Sequence, residues 1–182
     1  MEKSNNTKVI VEAGICIALA KILSFIKFFE MPFGGSITLV SMLPLIVFST
    51  RWGWKKGILV SAVYGLVDMM IGGYIIYPQQ AIVDYILAYS MMGLSGIKFG
   101  NGNKLKNYIP SIVLAYFFRG VFSVISGFLF WYDMEVAQAA GFKVFWTYNL
   151  AYNYSYLIVD MIIVIVVYSL IFNRLKKLLN RK

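Results

Sequence analysis

Six apolar stretches occupy almost the whole of this 182-residue chain, at roughly residues 9–28, 36–50, 55–72, 80–98, 108–131 and 148–172. Each is near the ~20 residues that a helix needs to cross a bilayer. A segment in lipid has no water to satisfy its N–H and C=O groups, so such stretches become helices whose backbone bonds are internal. With 60% hydrophobic and 14% charged residues and a mean hydropathy of +0.73, the chain lies outside the range of soluble domains. The sequence predicts an all-α membrane protein of six transmembrane helices. Residues 1–182 form a single integral membrane domain, with little chain left over for a soluble one.

The net charge of +9 follows topology rather than a polyanionic partner. Lys3 and Lys8 precede the first stretch, Arg51, Lys55 and Lys56 fill the second loop, and Lys98, Lys104 and Lys106 fill the fourth. Arg174, Lys176, Lys177, Arg181 and Lys182 follow the last, whereas the remaining loops carry only Lys27 and Lys143. Basic residues in alternate loops place those loops, and both termini, in the cytoplasm. Nucleic acid is not an expected partner. The polar-then-apolar start lacks a small-residue cleavage site after a short apolar core, so it reads as a first span that stays in place.

The same inventory removes several chemistries. There is no histidine, and Cys16 is the one cysteine and sits within a span, so neither a disulfide nor a metal framework is expected. No phosphate-binding GxxxxGK[ST] loop occurs. The acidic residues are scattered, which leaves no clustered carboxylates for an embedded enzyme. No catalytic residue, metal or cofactor is therefore assigned.

Loops are marked by EMPFGGS (30–36), RWGWKKG (51–57), GGYIIYPQQ (72–80) and GNGNKLKNYIP (100–110). The second span is short and contains Pro44, consistent either with a kinked helix or with non-helical backbone walling a cavity. The longest connection, residues 132–146, suits either an interfacial helix or plain loop.

Polar groups converge at one depth. Span four carries Asp84, followed by Tyr85, about one turn below the outer surface; an unpaired carboxylate there costs ~2.5 kcal/mol or more, so it asks for a function. Span five ends at the same surface with Ser123, Gly127 and Trp131 on one stripe, four residues apart. The glycine would let a flat ligand approach the backbone. Span six re-enters there with Tyr148 and Tyr152, Asn149 and Asn153, again four apart. Taken singly, rings near helix ends are ordinarily interface anchors and intramembrane amides ordinarily join helices. Together, one carboxylate among rings and amides suits a small, planar, nitrogenous cation. Asp68 and Asp160 lie deeper and are expected to pair structurally with Arg119 or Lys21, without a ligand role.

Four segments in order, MPFGGSITLVSMLP (31–44), QQAIVDYILAYSMMGLSG (79–96), SGFLFW (126–131) and YNLAYN (148–153), resemble the thiamine-specific S component of energy-coupling factor transporters. The resemblance runs over nearly the whole chain. It implies an S-component fold in a bacterial cell membrane, capturing thiamine from outside. The subunit would work with a transmembrane coupling subunit and two cytoplasmic ATPases, without chemistry of its own. It places the acidic contact on Asp84, the adjoining tyrosine on Tyr85, and the glycine and stacking tryptophan on Gly127 and Trp131. Tyr148, Asn153 and a loop tyrosine, Tyr74, complete the set. The chain departs from the family in having Asp84 for glutamate and Ser123 for histidine, and in having Gly35, with Phe33 nearby, for a first-loop aromatic. Gly34 and Gly35 are expected to hinge a lid, and Gly14 and Ala18 to form a small-residue face for the coupling subunit. The rival readings are an S component for another vitamin or a thiamine precursor, a lipid-acting membrane enzyme, and a structural bundle in which Asp84→Ala is harmless.

Overall fold

The computed structural model describes residues 2–31 and 35–179. Phe33 and Gly34 of the first loop, and Arg181 and Lys182 at the end of the basic tail, lie outside the described residues. The elements are α1 (Glu2–Ser24), β1 (Lys27–Glu30), β2 (Ser36–Thr38), α2 (Leu43–Trp52), α3 (Trp54–Met70), α4 (78–96), α5 (Ile109–Phe130), α6 (Met134–Ala139) and α7 (Phe145–Leu179). Two helices, Leu105–Phe130 and Phe145–Lys177, are long and apolar enough by themselves to cross a membrane.

Side chains are distributed inside out relative to a soluble bundle. On α7, Asn149, Asn153 and Asp160 are 3%, 7% and 3% exposed, while Ile158, Ile162, Val166 and Leu170 are 46%, 54%, 52% and 76% exposed. Apolar faces turned outward around buried polar groups are what lipid as solvent favours. The apolar core sits at the end of the bundle where α2, α4 and α7 finish, around Leu45, Phe48, Met92, Ile112, Val164 and Tyr168. The polar interior sits at the other end.

The expected second span differs most from what is observed. Its first residues pair as an antiparallel ribbon, with Phe29 opposite Ile37 and Glu30 opposite Ser36. Helix α2 has only 10 residues, about 15 Å of rise against a hydrocarbon core of about 30 Å. Pro44 lies in its first turn, where its missing N–H costs no bond, so it starts the helix and does not kink it. Between ribbon and helix, Val40 has φ 48°, a conformation that costs a β-branched residue ~1–3 kcal/mol and persists only when its surroundings impose it.

Helix α4 is irregular in a useful place. It opens with Pro78–Ala81, widens into a π-helical turn over Ile82–Leu87, returns to α-helix and tightens to 3₁₀ over Met91–Gly96. The π turn contains Asp84 and Tyr85, and such turns recur at functional sites because they re-aim side chains. Helix α3 holds it from behind: a Cβ on Gly65 would fall on the Tyr85 carbonyl. In the long connection after α5, Asp133 caps α6, its Oδ1 accepting from the Glu135 and Val136 N–H groups at 2.9 and 3.1 Å. That segment is therefore a short helix rather than plain loop.

Candidate functional site

A cavity of about 660 Å³ opens at the end of the bundle where α5 finishes and α7 begins. All eight expected binding residues line it: Asp84 and Tyr85 from the π turn, Ser123, Gly127 and Trp131 from α5 and its end, Tyr148 and Asn153 from α7, and Tyr74 from the loop before α4. The convergence at one depth read from the sequence is thus physical proximity in the fold.

The geometry changes the reasons for several of them. Gln80, 1% exposed, Ser126 and Trp131 present the hydrogen-bonding groups that face the Asp84 carboxylate. Among the described residues the Ser126 hydroxyl has no hydrogen-bond partner of good geometry. Gln80 also organises the loop, since its Oε1 accepts from the Ile76 N–H at 2.9 Å and its Nε2 donates to the Tyr74 carbonyl at 3.1 Å. The Tyr85 hydroxyl accepts from the Tyr74 N–H at 2.7 Å, which leaves its own proton for another acceptor. Tyr74 lies against Trp131, ring centroids 5.5 Å apart and 27° from parallel. A planar ligand between two rings needs about 7 Å, twice a carbon contact distance, so none enters between Tyr74 and Trp131.

Gly127 is small for a neighbour on α7. A Cβ there would sit 2.9 Å from both the amide carbon and the Nδ2 of Asn149. That amide donates to the Val124 carbonyl at 2.8 Å and accepts from Asn153 Nδ2 at 2.7 Å. Asn153 Oδ1 accepts in turn from the Tyr156 hydroxyl at 3.2 Å. The absent side chain on α5 therefore lets a chain of buried amides hold Asn153 at the cavity wall.

Gly35 is likewise explained by contact rather than by a hinge. A Cβ on it would lie 2.6 Å from Cε1 of Tyr156, and its N–H donates to the Tyr152 hydroxyl at 3.4 Å. The ribbon is tied to α7 at that point.

The inner cavity floor is charged. Lys21 Nζ lies 2.7 Å from Asp68 Oδ1, as the sequence led us to expect, and the Tyr89 hydroxyl donates to Asp68 Oδ2 at 3.0 Å. Asp160 departs from expectation: Oδ2 accepts from the Tyr116 hydroxyl at 2.6 Å, and buried Oδ1 has no hydrogen-bond partner among the described residues. Arg119 stacks over the Tyr89 ring at 4.6 Å and forms no ion pair with either aspartate among the described residues. Lys21, Asp68, Arg119 and Asp160 all line the cavity. Sequence reasoning set them aside because it assumed they would neutralise one another. The available signal was Asp160 lying two turns below Asn153 on the same helix.

The formal charges decide what the cavity suits. Lys21 and Arg119 oppose Asp68, Asp84 and Asp160 in its interior, while Lys27 and Glu30 pair with each other at the rim at 2.6 Å. One interior carboxylate is left over, so a monocation would balance the set. At the rim, the Asp133 carboxylate that caps α6 adds a further negative charge.

Helix α1 turns two small residues outward. Gly14 and Ala18 are exposed, and a Cβ on Gly14 would meet nothing within 4 Å. They do not serve packing inside this bundle.

Comparison with known proteins gives concordant results. The family described as "Thiamine transporter protein (Thia_YuaJ)" matches residues 10–180. The thiamine transporter ThiT of Bacillus subtilis (strain 168) is 30% identical over 193 residues, covering 99% of this chain and 98% of that protein. The thiamine transporter ThiT of Lacticaseibacillus paracasei is 24% identical over 185 residues, covering 92% and 88%. The solved structure of ThiT from Listeria monocytogenes superposes with a TM-score of 0.79 at 25% identity, over 96% of this chain and 98% of that one.

Proposed function

We propose, from the premise that the chain belongs to the thiamine transporter protein family, that it captures thiamine in this cavity and serves its uptake as the S component of an energy-coupling factor transporter. The observation that carries the reading is the cavity itself: the Asp84 carboxylate lies beside the Trp131 indole, with amides and phenols around them.

In this reading Asp84 takes the positive charge, a charge-assisted contact of about 1.5–3 kcal/mol. Trp131 stacks on a ring, adding ~0.5–2 kcal/mol when desolvated. Asn153 and Tyr148 bond the edge of the aminopyrimidine, Tyr85 supplies its free proton, and Tyr74 backs the indole. Gly127 acts through Asn149, and Ser123 lies on the wall between the outer groups and the floor. Asn153 and Asp160 are two turns apart on α7, about 10 Å, so a ligand of two linked rings held by Asn153 reaches the floor with its hydroxyethyl arm. There the alcohol accepts from Arg119, which lines the cavity beside Asp160.

The β1–β2 ribbon, which lines the cavity with Lys27, Glu30, Ser36 and Thr38, covers the ligand. Gly14 and Ala18 meet a transmembrane coupling subunit, which joins two cytoplasmic ATPases whose ATP hydrolysis drives release inside.

The test is calorimetric titration of the detergent-purified protein with thiamine, with Asp84→Asn and Trp131→Ala alongside. Saturable binding that weakens tenfold or more in both variants, about 1.4 kcal/mol, supports the assignment. Folded protein that binds no thiamine overturns it.

A further inference from the structure

At the opposite end of the bundle from the cavity, Trp52 finishes α2 and three cations converge on its indole. Lys8 Nζ, the Arg51 guanidinium carbon and Lys56 Nζ lie 6.0, 5.3 and 5.3 Å from the ring centroid. Among the described residues one carboxylate serves the group: Glu12, with Oε1 3.2 Å from Arg51 Nη1 and Oε2 accepting from the Trp52 N–H at 2.7 Å. Lys8 and Lys56 are exposed and form no ion pair among the described residues. Each gains ~0.5–1 kcal/mol from the ring at an exposed site, so three positive charges gather around one indole and, among the described residues, Arg51 alone of them is ion-paired.

Glu12 and Arg51 also border a groove of about 240 Å³, walled by Ile15 and Cys16 of α1, Val47 and Phe48 of α2, and Leu175 and Leu179 of α7. Ile15 and Cys16 lie one turn further along α1 than Glu12, and Val47 and Phe48 one turn back along α2 from Arg51. The groove therefore descends from the charged rim toward the middle of the bundle, with apolar walls.

We propose that this end of the protein binds one anionic phospholipid, its phosphate between Lys8 and Lys56 over Trp52 and an acyl chain in the groove between α1, α2 and α7. Basic residues on the cytoplasmic side are general in membrane proteins, but that tendency does not gather them on one ring beside an apolar slot. A soluble anion would leave the slot unused, and a neutral lipid would leave the lysines unmatched. An anionic headgroup joined to an alkyl chain matches both, and such lipids are at hand at this depth. The inference is independent of the cavity and its ligand.

Native mass spectrometry of the full chain in uncharged detergent, offered equimolar phosphatidylglycerol and phosphatidylcholine, tests it. Wild type should retain phosphatidylglycerol preferentially, and Lys8→Gln and Lys56→Gln should each reduce that preference about fivefold. Cys16→Trp, which fills the groove, should lower retention of phosphatidylglycerol while leaving thiamine binding unchanged. Equal retention of the two lipids by wild type, or undiminished preference in the double lysine variant, overturns the proposal. If instead the lysine variants lose co-purification with the transmembrane coupling subunit and keep their lipid preference, the face belongs to a protein partner and the lipid site is refuted.

Discussion

Adding one methyl group at Gly127 should disable a binding site from which no ligand contact has been removed. A Cβ in Gly127→Ala would stand 2.9 Å from the amide carbon and nitrogen of Asn149, well inside a carbon contact distance of about 3.5 Å. Asn149 is 3% exposed and held at both ends, by the Val124 carbonyl at 2.8 Å and Asn153 Nδ2 at 2.7 Å. Overpacking of this kind costs ~1–3 kcal/mol, and freeing one buried amide group from its partner costs a further ~1–3 kcal/mol. The second cost falls on Asn153, which then points less well at the ligand. Losing one hydrogen bond there, about 1–1.5 kcal/mol, is close to a tenfold loss of thiamine affinity. Thermal unfolding and calorimetric titration should show both losses. Asn149→Ala should weaken binding without any overpacking, and the double variant should fall well short of the sum, since the two act through one contact. Wild-type affinity in Gly127→Ala, or strict additivity in the cycle, would refute the relay from α5 through Asn149 to Asn153.

Three other perturbations read other parts of the fold. Lys21→Met strands Asp68, whose side chain is 15% exposed; melting should show a loss toward the lower end of the ~3–5 kcal/mol for breaking a buried pair, mostly recovered by adding Asp68→Asn. Gly65→Ala drives a methyl onto the Tyr85 carbonyl, and backbone yields less than a side chain. Its melting loss should therefore exceed the ~1–3 kcal/mol of ordinary overpacking, with thiamine binding falling alongside. Arg119→Met removes the donor proposed for the ligand's alcohol, so thiamine should weaken about tenfold, whereas an analogue lacking the hydroxyethyl arm should change little. An equal loss for both compounds would remove the alcohol from the floor.

Hydropathy made the helical membrane fold legible, because burying backbone in lipid allows few alternatives and each long apolar stretch announces itself. The helices observed at 54–70 and 109–130 lie close to the stretches expected at 55–72 and 108–131. The second span misled for a related reason: residues 36–42 carry Ile37, Leu39, Val40 and Met42 and so extend an apolar stretch, yet they form a strand and a tight turn against the cavity, and hydropathy alone does not distinguish strand from helix. Spacing of four was informative for Ser123, Gly127 and Trp131 because α5 is regular through that segment. It carried no information for α4, where the π turn shifts every later side chain around the axis, a deviation encoded in packing against Gly65 rather than in local propensity. Charge was the harder problem. Asp68, Arg119 and Asp160 read from the sequence as residues that cancel in pairs, and among the described residues only Asp68 has an ion-pair partner, Lys21. Whether two buried charges neutralise depends on angstrom-scale placement across helices that no spacing along one chain records. Here that placement leaves Arg119 and Asp160 both lining the cavity with no ion pair between them among the described residues. The residues dismissed as structural from the sequence are thus the ones that give the inner wall its chemistry.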